Sequence, residues 1–289
     1  MLFGAVFPQT EIGPDRQDIR DYAQAVEGLG YSHIVAYDHV LGADTTHRPD
    51  WRDYTYRDQF HEPFVLFGYL AALTQLELVS GVIILPQRQT ALVAKQAAEV
   101  DVLSNGKMRL GIGVGWNPVE YEALGIDFHQ RGRMVAEQIE VLRLLWSQEI
   151  VTFHGQYHII NEAGINPLPI HRTIPIWTGG RADITLRRTA RLADGWFPLG
   201  RPDELMEQAI QRLRTYLTEA GRDQATFGIE AQINIREGDL NKLLQQTQRW
   251  QALGATHICL NTMGAGFISL QQHLDALRRY KEALKSEFH

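Results

Sequence analysis

Cysteine is almost missing from this chain. Cys259 is the only one in 289 residues, so no internal disulfide can form, and the chain fits a reducing compartment. No apolar run is long enough to cross a bilayer. The opening residues, Met1-Leu-Phe-Gly-Ala-Val-Phe-Pro8, lack the basic start and long apolar core of a signal peptide, so the reading is a cytoplasmic protein. Basic charge is also short: 28 Lys and Arg face 34 Asp and Glu, and the net charge of −6 argues against nucleic acid or an anionic membrane as partner. Catalytic signatures are missing too. There is no G-x-x-x-x-G-K-[ST] loop, no H-E-x-x-H pair and no G-x-S-x-G elbow. His154 and His158 have i, i+4 spacing, but Gly155 between them suggests a hairpin rather than a metal-binding helix, so no metal site is expected.

What remains is an ordinary globular composition, 44% hydrophobic and 21% charged, able to bury a large core. Strand-like and helix-like segments alternate throughout. Strands are expected at Leu2–Phe7, His33–Tyr37, Glu77–Leu85, Met108–Ile112, Ile174–Thr178, Gly195–Pro198, Phe227–Ile235 and His257–Leu260. Helices are expected at Arg16–Leu29, Glu62–Gln75, Ala91–Leu103, Gln130–Trp146, Ile184–Leu192, Glu204–Thr218, Leu240–Leu253 and Leu270–Leu284. Eight such units without a linker favour an α/β fold of one domain over residues 1–289, a closed (β/α)8 TIM-type barrel with insertion loops. Two connections, Val40–His61 and Gln148–Arg172, are long enough to act as lids and to carry substrate selectivity. The second contains the hairpin-like Val151–Ile159.

The most telling stretch is Arg109-Leu-Gly-Ile-Gly-Val-Gly-Trp116, followed by Asn117-Pro118. Alternating glycines let a backbone approach a flat or phosphorylated ligand. The dinucleotide fingerprint G-x-G-x-x-G does not fit, because Gly115 comes one residue early and Trp116 stands where tight helix packing should begin. Gly111, Gly113 and Gly115 therefore read as the end of barrel strand four, clearing space beside a bound ring.

Asp38-His39 closes strand two, on the face where barrel active sites lie. Histidine titrates near neutrality and can move a proton, and an adjacent acid can orient it. An isolated Asp-His pair is more commonly a capped strand end; its position on the barrel reverses that preference. Thr178-Gly179-Gly180-Arg181 leads from strand five into a helix, where free N–H groups and an arginine suit an anion. A tight turn that needs glycine for its backbone alone explains the same residues equally well. Arg88 is a second candidate for an anionic ligand, although a solvated surface role is commoner. Glu120 and Glu122 read as part of an exposed helix start, and Cys259 as core. With no nucleophile or metal motif, chemistry falls to a bound organic cofactor.

Taken together, Gly30-Tyr31, Asp38-His39, Ser80-Gly-Val-Ile-Ile-Leu-Pro86, Ala94-Lys-Gln-Ala-Ala-Glu-Val-Asp-Val-Leu-Ser104, the glycine run, Arg131-Gly-Arg133, Leu142-Arg-Leu-Leu-Trp146, Pro175-Ile-Trp-Thr-Gly-Gly180 and Ala193-Asp-Gly-Trp196 resemble the bacterial luciferase-like superfamily of flavin and deazaflavin oxidoreductases. The arrangement is closest to its coenzyme F-420-dependent subgroup. The resemblance covers nearly the whole first 200 residues; the C-terminal third carries no diagnostic motif. It implies a ring in the barrel mouth, backed by a strand-three bulge at Gly81-Val82 that often contains a non-proline cis peptide. It implies that Gly113, Gly115, Trp116, Thr178, Gly179, Gly180 and Arg181 contact the cofactor, its phosphate lying at Gly179-Gly180, and that Asp38 and His39 face the substrate. A homodimer is also implied. The chain departs from some relatives, which place a catalytic glutamate directly after the glycine run where Trp116 stands here. That tryptophan is free to wall the ring and exclude water.

The leading expectation is a hydride-transferring oxidoreductase that uses reduced coenzyme F-420 on a small organic substrate. His39 would move the proton and Asp38 would orient it or bind substrate. A reduced-FMN-dependent monooxygenase placing one oxygen atom in its substrate is the alternative. A non-catalytic flavin-binding barrel is the third reading, in which replacing His39 would change no turnover.

Overall fold

The structure is a computed structural model that describes residues 1–287. Strand β1 (Leu2–Val6) is buried over its last three residues, and α1 (Arg16–Gly28) follows. Asp15 caps this helix by accepting from the Gln17 N–H at 2.7 Å. Ile19, Tyr22, Ala23 and Val26, spaced by three and four, turn its apolar stripe inward. The same strand-then-helix logic recurs in β2 (His33–Ala36), α2 (Pro63–Ala71), β3 (Glu77–Ser80), β4 (Ile83–Ile84), α3 (Thr90–Leu103) and β5 (Met108–Gly113). After β5 come α4 (Pro118–Ala123) and α5 (Arg131–Ser147), then a hairpin of β6 (Val151–His154) and β7 (Ile159–Ala163). The chain continues with β8 (Ile176–Gly179), α6 (Asp183–Leu192), β9 (Gly195–Phe197), α7 (Glu204–Glu219), β10 (Gly228–Asn234), α8 (Leu240–Ala252), β11 (His257–Asn261) and α9 (Leu270–Glu287).

The strands β1, β2, β3, β5, β8, β9, β10 and β11 pair in that order, all parallel, and β11 returns to β1. This is a closed (β/α)8 barrel, as the alternation of elements predicts. The third strand is not the single run Glu77–Leu85. It stops at Ser80 and resumes at Ile83. From Val79 to Ile83 it advances four residues while β5 advances three, from Arg109 to Ile112. That extra residue is a bulge, centred on the cis Gly81–Val82 peptide. The hairpin β6–β7 is antiparallel and packs outside the barrel, where Glu137 of α5 accepts from His158 Nδ1 at 2.8 Å. No helix of the described residues is long and apolar enough to cross a membrane.

The N-terminal half of the barrel interior is filled by large polar and aromatic side chains. Arg109 is 2% exposed and ion-paired to Glu77 at 2.9 Å and to Glu230. Glu230 also meets His33 Nε2 at 2.9 Å. The Arg109 guanidinium lies 4.3 Å from the Trp177 ring centre. That indole in turn fits only because Gly195 and Gly228 face it, since a methyl on either would come within 2.2 Å of its ring. Burial alone would push the Glu230 carboxyl up, but His33 and Arg109 outweigh it and hold it at about 2.

His257 borders this layer, and burial, reinforced by Arg109, pushes its pKa from 6.5 down to about 4. The folded state therefore holds a neutral imidazole over a range in which the unfolded chain binds a proton. The stabilisation is complete above about pH 6.5 and lost as pH falls toward 4. Urea unfolding of the wild type and His257→Gln at pH 7, 5.5 and 4.5 checks this. The difference between them should shift against the wild type as pH falls, and parallel curves would contradict the burial of a neutral His257.

Candidate active site

A cavity of about 760 Å3 opens at the C-terminal ends of the strands, within the size range of small-molecule sites. One face is nearly free of side chains: Gly81 and Val82 of the bulge, Gly113 and Gly115 ending β5, and Gly179 and Gly180 ending β8. A methyl on Gly113 would come 2.6 Å from Val82, and one on Gly115 would come 2.8 Å from Ile84. These glycines thus make room for the bulged strand, whose own residues form the face. Gly179 differs, because its added methyl would meet only Val82, at 3.8 Å, and would otherwise project into open space.

His39 lines the same cavity, and the group that orients it is one that sequence reasoning misplaced. Glu120 is 1% exposed, not part of an exposed helix start. Asn117 caps α4 by accepting from the Val119 N–H at 3.0 Å, with Pro118 in the first turn. The short helix aims Glu120 back at strand two. There Glu120 Oε1 accepts from His39 Nδ1 at 3.2 Å and from the Val40 and Leu41 N–H groups at 3.0 and 3.3 Å, while Oε2 accepts from Gln87 at 3.3 Å. Burial pushes this carboxyl up, and the His39, Gln87 and backbone hydrogen bonds more than reverse it, so it stays ionised. A carboxylate on Nδ1 fixes the proton there in the neutral ring and leaves Nε2 with a lone pair. Among the described residues Nε2 has no partner. The available signal was Asn117-Pro118, a helix cap that places its third helical residue one turn from the barrel mouth. Glu122, by contrast, is exposed as expected.

Aromatic rings surround His39. Phe60, Tyr54 and Trp116 lie 4.7, 5.1 and 6.0 Å from it, centre to centre, and Trp51 lies 5.4 Å from Trp116. The Val40–His61 connection therefore reaches the cavity, supplying Tyr54 and Asp58 to its lining. The Gln148–Arg172 connection supplies no lining residue, so its expected share in selectivity is not borne out. Trp116 stays 43% exposed at the rim.

Asp38 is buried and engaged elsewhere. Arg88 grips it through Nη2 at 2.8 Å and Nε at 3.3 Å, and the Ile84 N–H donates to it at 3.2 Å. Burial raises its pKa, with Arg88 opposing. Its side chain thus ties strand two to the bulged strand, and orienting His39 falls to Glu120. Arg88, read as a possible anion ligand, is already paired with Asp38 and with Glu62 at 2.8 Å. Of the glycine turn, Gly179 and Gly180 line the cavity, whereas Thr178 is turned away and bonded to Thr189 Oγ1 at 2.6 Å. Arg181 is exposed at the rim, its guanidinium beside Gly200. Cys259 is buried and touches the cavity floor. It approaches His33 and Glu230 closely enough to suggest a metal triad, but both Glu230 oxygens are taken by His33 and Arg109.

A parallel eight-stranded barrel with its cavity at the C-terminal strand ends belongs to the large class of (β/α)8 proteins built around such sites. Residues 1–287 match the luciferase-like monooxygenase family, and the chain belongs to that family. An uncharacterized protein of Mycobacterium tuberculosis is 36% identical over 207 residues, 69% of this chain and 71% of that protein. The FMNH2-dependent dimethylsulfone monooxygenase of Pseudomonas fluorescens is 30% identical over 187 residues, 63% of this chain and 50% of the enzyme. A coenzyme F-420-dependent secondary alcohol dehydrogenase, solved with an F-420-acetone adduct, superposes with a TM-score of 0.79 over 96% of this chain and 97% of its own at 16% identity, a likeness of fold.

Breaking the Asp38–Arg88 pair from one side should be far worse than removing both charges. Arg88→Met leaves a buried carboxylate uncompensated and is expected to cost about 3–5 kcal/mol in urea unfolding. Adding Asp38→Asn to that variant should recover most of the loss. Independent, additive costs would show that the pair does not hold the bulged strand in place.

Proposed function

We propose that this chain is an oxidoreductase that moves a hydride between coenzyme F-420 and a small organic substrate. The observation that carries this reading is His39, fixed through Nδ1 by buried Glu120 with Nε2 free, at a cavity whose adjoining face carries little side chain beyond Val82. That face fits a planar ring, since Gly179 leaves space a methyl would fill. The start of α6 fits the phosphate of the same cofactor: Ala182 provides no side-chain cap, and Asp183 is turned to Arg187 at 3.0 Å and Tyr216 at 2.6 Å. Gly180 and Arg181 would stand beside that phosphate. Trp116, at the rim, would shield the ring from water.

Bound there, the deazaflavin would accept or supply the hydride. The chain's own residues manage the proton. As a substrate hydroxyl becomes a carbonyl, its O–H proton passes to His39 Nε2, and Glu120 stabilises the imidazolium through Nδ1. In the opposite direction His39 returns the proton to the carbonyl oxygen. The aromatic rings of Tyr54, Phe60 and Trp116 hold the imidazole in position and keep bulk water from it.

A second reading, a reduced-FMN-dependent monooxygenase, is favoured by the 30% identity to the dimethylsulfone enzyme. Equilibrium titration of the purified protein separates the two. F-420 should bind in the micromolar range and FMN more weakly; FMN binding with no response to F-420 would transfer the proposal to the monooxygenase. His39→Gln should lower turnover about 100-fold or more with cofactor affinity unchanged. Glu120→Gln should lower kcat less and displace the pH profile, because it acts through His39. Normal turnover in both variants would remove the proton-transfer assignment.

Gly179→Ala should leave unfolding stability within about 0.5 kcal/mol, there being room for its methyl, yet weaken cofactor binding at least tenfold. An unchanged cofactor affinity would place the ring elsewhere in the cavity.

A further inference from the structure

The wall facing the glycines is the part of the cavity to which the proposed chemistry assigns no task. It is built from Tyr37, Gln232, Asn234, Arg236 and Asn261, at the C-terminal ends of β2, β10 and β11. Its hydrogen bonds all run in one direction. The Met263 N–H donates to Asn261 Oδ1 at 2.9 Å, which leaves Asn261 Nδ2 to donate to the Tyr37 hydroxyl at 3.2 Å. Tyr37 then donates its own proton to Gln232 Oε1 at 2.7 Å. Burial pushes the Tyr37 hydroxyl well above its ordinary range, so that proton is retained. With its oxygen occupied, the Gln232 carboxamide has only its NH2 group to offer the cavity. Asn234 repeats the pattern, because its Oδ1 accepts from the Arg236 N–H at 3.0 Å and its NH2 group is left over.

Arg236 adds charge to these donors. Among the described residues its guanidinium forms no ion pair and no side-chain hydrogen bond. Four carboxylates line the same cavity, and none is ion-paired to Arg236: Asp38 is held by Arg88 and Glu230 by Arg109 and His33, while Glu11 and Asp58 hold backbone N–H groups. Glu11 Oε1 accepts from the Gly264 N–H at 2.7 Å, and Asp58 Oδ2 accepts from the Thr55 N–H at 2.7 Å. Among the described residues, two oriented amide NH2 groups, beside one exposed and unpaired guanidinium, are left without acceptors. A ligand that supplies them gains charge-assisted hydrogen bonds that a neutral isostere forgoes.

We propose that Gln232, Asn234 and Arg236 form the specificity surface for an anionic oxo-acid group, a carboxylate or sulfonate, on the substrate. The assignment rests on the reading that the cofactor occupies the glycine face. Phenylacetate and 2-phenylethanol, alike in their apolar part, are the probes. Calorimetric titration of the protein with and without F-420 should give the acid at least tenfold tighter binding than the alcohol. The double variant Gln232→Leu/Arg236→Met should abolish that preference while leaving cofactor affinity within about twofold. Tyr37→Phe, which removes the proton that fixes the Gln232 amide, should reduce the preference with Arg236 intact. Equal binding of acid and alcohol to the wild type would overturn the proposal while leaving the cofactor reading untouched. So would a double variant that keeps the acid preference but loses cofactor affinity, since the wall would then serve the cofactor. Selective acid binding by a protein that takes up neither F-420 nor FMN would instead refute the cofactor reading and leave the anion wall standing.

Discussion

Arg109 is the residue on which the barrel interior depends. It reaches across the closed sheet to Glu77 on one strand and Glu230 on another, while His33 from a third strand holds the remaining Glu230 oxygen. A buried guanidinium is tolerable only when its donors find acceptors and its charge finds a counter-charge. Here both conditions are met by residues from the N-terminal ends of strands far apart in sequence. Trp177 covers the guanidinium face and occupies the volume that two glycines give up. The lower barrel is thereby occupied by large side chains, and the cavity of about 760 Å3 lies toward the other end.

That division of the interior is what allows a broken strand to be useful. Below the bulge, β3 pairs normally with its neighbours; above it, the chain re-enters one residue out of step with β5. The displaced segment needs room, and Gly113 and Gly115 provide it by having no side chain to collide with Val82 and Ile84. Asp38, gripped by Arg88 and the Ile84 N–H, secures the displaced segment to strand two. His39 follows Asp38 directly, so the contact that fixes the bulge also fixes the backbone from which His39 projects. The site is assembled from consequences of one irregularity.

Much of this was legible in the residues. Period and punctuation located seven barrel strands to within a residue or two and the third only as one unbroken run, because each is a short apolar run with glycine or proline near its end. His39 and the glycine turn stood out through their position at strand ends, and the bulge at Gly81-Val82 through the family resemblance alone. Three things did not. Glu120 looked exposed because a six-residue helix shows no usable periodicity, and only its cap geometry reveals which way the third residue points. Asp38 looked like the partner of His39 because the two are adjacent, whereas consecutive residues leaving a strand point to opposite sides. The donor wall was invisible because Tyr37, Gln232 and Asn261 lie on three strands, and its polarity comes from a relay of hydrogen bonds that no local pattern encodes.

The side chains of the lower barrel also limit the space left to ligands. Arg109, Trp177 and Glu230 fill the interior below, and the cavity lies at the C-terminal strand ends, bordered by Trp116 and the Val40–His61 connection. Any two ligands bound there share about 760 Å3, so bulk added to one is taken from the room left for the other.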